Sequence, residues 1–234
     1  MSTSYIEPLI HLLKSNANPE EAKAMSAYMR EQFPFLGIKS PERRALFKQF
    51  LTENGLPSVE SLEESVWAMW QLPEREYQYL AIGLLEKMRR KVGPEVIELY
   101  EKLVVTHAWW DTVDGLASNI IGFHFERFPD LQDPWISKWR ASEDFWLRRI
   151  TLLFQLRYKD KTDVPLLFAL IEENRESKEF FIQKAIGWAL REHSKTDGDL
   201  VEEFIAKTEL APLSAREGLK WLLAQRKKRE GTGK

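Results

Sequence analysis

The chain has 234 residues, 44% hydrophobic and 30% charged, with 34 Lys+Arg against 36 Asp+Glu and a formal net charge of −2, a globular composition sufficient for one large domain or one continuous array of small repeats. The absence of Cys excludes disulfides, a Cys-type zinc site, an iron–sulfur cluster and a thiolate nucleophile, and it fits a reducing compartment. Glu7 and Pro8 break the N-terminal stretch where a secretory signal would be apolar, and the longest apolar run, Val164 to Ile171 with Pro165 inside it, falls far short of the ~18 residues of a membrane span, so a cytoplasmic protein without a membrane partner is expected.

Apolar residues recur at spacings of three and four nearly throughout, and no useful segment alternates with period two. An all-α protein of about twelve helices is therefore expected, in thirteen segments of which the shortest counts as one irregular turn. Taken in chain order they read 5–15, 19–33, 41–53, 58–71, 73–91, 94–105, 109–127, 134–140, 143–158, 163–174, 178–195, 198–208 and 214–228, and 229–234 reads as a disordered tail. Pro stands at or near the helix start in Asn18-Pro19-Glu20, Ser40-Pro41-Glu42, Leu72-Pro73-Glu74, Gly93-Pro94-Glu95 and Asp133-Pro134, where its missing N–H costs nothing.

Short helices joined by short loops suggest a stacked solenoid, and an internal repeat supports one. Phe145-Trp146-Leu147-Arg148-Arg149-Ile150 aligns with Phe180-Phe181-Ile182-Gln183-Lys184-Ala185, an offset of 35 (145 to 180), and Ala81-Ile82-Gly83 returns as Ala185-Ile186-Gly187. Steps of 35 give the polar row Arg44, Tyr79, Asp114, Arg149 and Lys184, each followed by a small or apolar residue: Ala45, Leu80, Gly115, Ile150 and Ala185. Equivalent positions of stacked repeats line up, so the polar row is expected on one long surface with the following residues buried. The reading is a single HEAT-like helical-repeat solenoid over 1–234, of about six helical pairs, with a concave face.

Phosphate-cradling and dinucleotide motifs are absent, the sole GxG being Gly231-Thr232-Gly233 in the tail, so no nucleotide cofactor is expected. His11, His107, His124 and His193 lack metal-ligand spacing, and no GxSxG elbow is present, so no metal, no other cofactor and no covalent acyl transfer are expected. Basic residues are unevenly placed: Arg148, Arg149, Arg157, Lys159 and Lys161 form one run, and 216–234 hold seven Lys and Arg against Glu217 and Glu230. Such runs are either solvated helix faces or the electrostatic footprint of a polyanion.

One constellation carries chemistry. In Trp109-Trp110-Asp111-Thr112-Val113-Asp114, Trp110 and Asp114 are four apart and share a helix face. The 35-residue comb places Arg149 beside Asp114, and Trp188 lies one turn beyond Lys184 on the same face. The indoles could instead be core, and Asp111 with Asp114 could cap the helix start. Exposed indoles with a basic rim suit nucleic acid, and a carboxylate beside them could stabilise the positive sugar formed as a glycosidic bond breaks. A second, non-enzymatic reading is a scaffold or DNA-structure binder using the same face.

The sequence resembles the bacterial AlkD-type DNA glycosylases, a HEAT-like repeat family that removes positively charged N3- and N7-alkylated purines, such as 3-methyladenine and 7-methylguanine, from DNA. The segments that carry the resemblance are Met25 to Met29, Phe35-Leu36-Gly37-Ile38, Pro41-Glu42-Arg43-Arg44, Leu72 to Glu76, Trp109 to Asp114, Phe154-Gln155-Leu156 and Ser177 to Trp188. The resemblance implies a monofunctional enzyme acting on duplex DNA without flipping the base into a pocket. It implies that Asp114 is the catalytic carboxylate, that Trp110 and Trp188 pack against deoxyribose and lesion, that Arg149 holds Asp114 or a phosphate, and that Tyr28 completes the aromatic lining. Backbone contacts are expected from Ser40, Arg44, Lys159, Lys184, Arg191 and Lys195. Lys39-Ser40 departs from the expected Gln-Thr; Ser40 keeps a capping hydroxyl and Lys39 adds a charge. A bacterial monomer, used at the nucleoid, is the implied setting.

Overall fold

The computed structural model describes residues 3–231, and all regular structure among them is helical. Tertiary contacts gather the chain into two units, Met1–Leu103 and Val104–Lys234. No helix among the described residues is long and apolar enough to cross a membrane.

In the first unit the order is α1 (Thr3–Ser15), α2 (Pro19–Tyr28), α3 (Ser40–Asn54), α4 (Val59–Trp70) and α5 (Arg75–Met88). A 3-10 turn (Pro94–Val96) then leads into α6 (Ile97–Val105), which crosses the point of division. Asn18 caps α2, its side-chain oxygen accepting the N–H groups of Glu20 and Glu21 at 3.1 and 3.2 Å, so the Asn-Pro-Glu signal works as its chemistry requires. That helix stops at Tyr28 rather than at 33. The Glu31 N–H donates to the Ser26 carbonyl and the Arg30 N–H to that of Ala27, with Arg30 and Glu31 at φ 56° and 58°; this is a Schellman closure built without glycine. Ser40 does not cap α3 either. It is the first helical residue, and its hydroxyl accepts from Arg44 Nη1 at 3.1 Å, while Lys39 pairs with Glu21 at 2.7 Å.

Leu9, Leu13, Phe50, Val66, Trp70 and Tyr77 form the apolar centre of this unit, where α1 packs on α3 and α4, and α4 on α5. Glu76 lies fully buried beside them. Its carboxylate accepts three successive backbone N–H groups, from Leu36, Gly37 and Ile38 at 3.0, 2.9 and 3.1 Å. The loop can wrap this closely because Gly37 sits at φ +85°, where a Cβ would lie 2.0 Å from the Asn18 carbonyl oxygen. Glu76→Gln exchanges one acceptor oxygen for an NH₂ facing donors, and chemical denaturation should show a loss of about 2–3 kcal/mol; an unchanged midpoint would remove Glu76 from the loop's support.

In the second unit, 110–127 run as one helical stretch: α7 (Trp110–Gly115), a π-helical turn (Leu116–Ile121) and α8 (Gly122–Arg127). A 3-10 turn (Pro129–Leu131) precedes α9 (Gln132–Arg140) and α10 (Phe145–Leu153), and another (Lys159–Lys161) precedes α11 (Val164–Asn174), α12 (Phe180–His193), α13 (Gly198–Lys207) and α14 (Pro212–Gly231). The expected helix 143–158 is shorter in the structure, where α10 ends at Leu153. The Gln155 side chain binds the backbone N–H and carbonyl of Asp163 at 2.7 and 3.3 Å, drawing the chain back, and Lys159 turns at φ 54°. Helix α14 continues through 229–231, whereas 232–234 lie outside the described residues. Ile120, Phe125, Trp139, Ile150, Phe154, Ile186 and Leu190 fill this unit's core, with α12 packed against α10, α11, α13 and α14.

Candidate active site

The N-cap of α7 is Trp109, whose side chain makes no capping hydrogen bond; Asp111 lies in the first turn, and Asp114 stands beyond it and does not serve as the cap. Asp114 instead turns to Arg149, 35 residues on. Oδ1 accepts from Nε at 2.8 Å and Oδ2 from Nη2 at 2.9 Å, the two-pronged geometry that guanidinium and carboxylate fit best. Arg149 Nη1 also donates to the Phe181 carbonyl. One guanidinium thus ties together α7, α10 and the first turn of α12.

The expected surface row is therefore not uniform. The Arg149 side chain is 2% exposed and that of Asp114 14%, while Ala45, expected to be buried, is exposed. Leu80, Ile150 and Ala185 are buried as the comb requires. Burial pushes the Asp114 carboxyl above the ordinary aspartate range, and the charge and hydrogen bonds of Arg149 pull it down while nearby Asp111 adds to the rise. The result is a carboxylate locked on its Arg-facing side, with a narrow opening to solvent.

Indoles lie on the same helix as Asp114 and beside its Arg149 partner. Trp110, half-buried, stands one turn before Asp114 on α7. Trp188 on α12 has the guanidinium carbons of both Arg149 and Arg191 5.8 Å from its ring centroid. Trp109 packs edge-on against Phe181, with centroids 5.0 Å apart, and lies 6.0 Å from Trp146. Phe145 stacks on Phe181 with planes 2° apart. Sequence reasoning did not single out Phe145, Trp146 and Phe181 as site neighbours; the repeat at 145 and 180 had aligned them without indicating that they meet.

The expected backbone-contact residues divide into separate groups. Ser40 and Arg44 are exposed and hydrogen-bonded to each other on α3, and Tyr28, which ends α2, is 72% exposed. Lys159 and Lys195 line a cavity of about 230 Å³ together with His193. Lys184 and Arg191 both bind Glu217 of α14, each at 3.1 Å. Sequence reasoning noted Glu217 solely as an acid in a basic tail.

A buried Arg–Asp pair with Trp188 beside its guanidinium, in a chain whose described residues form helices and no strands, defines a helical protein with a charged and aromatic candidate site. Residues 9–222 match the model of the DNA alkylation repair enzyme family, and the chain belongs to that family. It is similar to a solved structure described as a predicted DNA alkylation repair enzyme from Enterococcus faecalis, at 42% identity over 88% of this chain and 96% of the other, with a TM-score of 0.83. No curated protein matches the chain.

Proposed function

We propose that the protein is a monofunctional DNA glycosylase, hydrolysing the N-glycosidic bond of positively charged N3- or N7-alkylated purines in duplex DNA without moving the base into a pocket. The observation that carries the reading is the Asp114–Arg149 pair, a carboxylate held by two hydrogen bonds on its Arg149 side and still 14% exposed, on the same helical face as Trp110 and with Trp188 beside the guanidinium. Such a group is matched to a cation that develops within reach of its remaining lone pairs.

The chemistry follows from the charges. As the C1′–N bond breaks, its electron pair goes to the base, whose positive charge is thereby neutralised, so no general acid is needed. The sugar left behind is an oxocarbenium ion. Asp114 stabilises it and orients the attacking water, whose oxygen bonds to C1′ while its proton passes through the carboxylate to solvent, leaving an abasic site. Trp110 and Trp188 offer π faces to the sugar and the cationic lesion. Arg149 keeps Asp114 aimed, and Ser40, Arg44, Lys159, Lys184, Arg191 and Lys195 take up DNA phosphates, with Tyr28 as an exposed aromatic packing against the duplex.

The test is incubation of native protein with a duplex carrying one N7-methylguanine, followed by alkali to cleave any abasic site. Cleavage at the lesion is the expected result. Binding without cleavage on this lesion and on bulkier cationic adducts would overturn the enzymatic reading in favour of a DNA-structure binder.

A further inference from the structure

Lys184, Trp188 and Arg191 follow one another on α12 at spacings of four and three, so they share one face, with a cation one turn to each side of the indole. Both side chains are long and flexible, yet they are only 25% and 28% exposed. What holds them is Glu217, contributed by α14. One carboxylate oxygen takes Lys184 Nζ and the other takes Arg191 Nη1, each at 3.1 Å, and the Glu217 side chain itself is 12% exposed, less than either cation it binds.

The approach of α14 depends on Gly187, where an added Cβ would lie 2.5 Å from the Glu217 Cβ and 3.1 Å from the Ser214 carbonyl oxygen. The Ser214 hydroxyl donates to the Gln183 carbonyl at 3.0 Å, pinning the two helices together at this point. Burial raises the Glu217 carboxyl, but the hydrogen bond and charge of Lys184, then the charges of Lys220 and Arg191, outweigh it and hold the group below the usual glutamate range. The three side chains carry a net single positive charge. Arg191 spends one of its five N–H groups on Glu217 and Lys184 one of its three, which leaves donors for an incoming anion.

We propose that Glu217 is a positioning residue for the repair reaction, holding Lys184 and Arg191 on its two carboxylate oxygens so that both cations stand ready for phosphates of the damaged strand on either side of Trp188. The proposal rests on the glycosylase reading above. It gives α14 a role in the site that does not require it to touch DNA. Ordering two flexible side chains before binding removes that entropic cost from association.

The experiment compares native protein, Glu217→Gln and Glu217→Asp, each also in a Lys184→Met/Arg191→Met background, with melting temperature as a check on folding. Affinity is measured across a salt series for duplexes with and without one N7-methylguanine, together with single-turnover base release. Glu217→Gln and Glu217→Asp should each weaken binding on the order of tenfold and flatten the salt dependence by about one to two units, and neither should matter further once both cations are gone. The aspartate variant keeps the charge and shortens the reach, so native-like behaviour of that variant would reduce Glu217 to a charge and overturn the proposal. Tighter binding by the glutamine variant, or equal losses in both backgrounds, would overturn it too. If native protein binds DNA but releases no base, the glycosylase reading fails, and the role of Glu217 is still read from the binding arm.

Discussion

Asp114→Asn is expected to slow base release from N7-methylguanine duplex by about 10²–10³-fold, the usual loss when a group that stabilises developing transition-state charge is neutralised. DNA affinity should stay within about threefold, because the carboxylate acts on a charge that exists only as the bond breaks. Asparagine keeps the shape and one acceptor oxygen, but it leaves the Arg149 guanidinium, 2% exposed, without its counter-charge. A fall in stability therefore accompanies the substitution, and rates must be compared below both melting transitions. Retained base release in a folded Asp114→Asn protein would sink the assignment of Asp114.

The largest loss of stability is expected from Arg149→Met. That change strands a carboxylate that is 14% exposed and also removes the hydrogen bonds to Asp114 and to the Phe181 carbonyl. Breaking a buried pair from one side costs about 3–5 kcal/mol, read as a shift in denaturant midpoint. Combining it with Asp114→Asn should recover part of that loss, because no unpaired buried charge then remains. A pH effect follows as well. Asp114 must be ionised to stabilise a cation, and its carboxyl is already raised by burial against the pull of Arg149, so the native rate should fall as pH drops through that raised value. Without Arg149 the carboxyl rises further, and the acid limb of the pH–rate profile should move to higher pH. A limb that stays in place would mean that another group controls it.

The same two residues show how far a sequence can be read. The 35-residue comb placed Asp114 and Arg149 in register, and the structure joins them through two hydrogen bonds. It read Arg149 as a surface cation, however, because spacing reports which residues are neighbours and not how deep they lie. The depth comes from packing between helices: α7 meets the guanidinium through Asp114, and α12 through the Phe181 carbonyl and the Trp188 ring, whose centroid is 5.8 Å away.

Helix ends divide in the same way. Asn18 before Pro19 marked a helix start because capping is local chemistry between residues two and three apart. The stop at Tyr28 carried no glycine or proline signal; it comes from a closure in which Arg30 and Glu31 accept left-handed backbone conformations, with Ser26 bound to Glu31 and to the Phe33 carbonyl.

By itself, then, the sequence determined what depends on short range: an all-helical chain from the three-and-four spacing, the Pro-marked helix starts, and the Trp110–Asp114 pairing along one helix face. Tertiary structure decided what depends on packing between distant segments: the burial of Arg149, the aromatic contacts of Trp109, Trp146 and Phe181, and the capture of Lys184 and Arg191 by Glu217, 33 and 26 residues further along the chain. The physical reason is that periodicity and capping are set by bonds within one turn of helix, whereas the dielectric surroundings and partners of a charge are set by whichever helix lies against it.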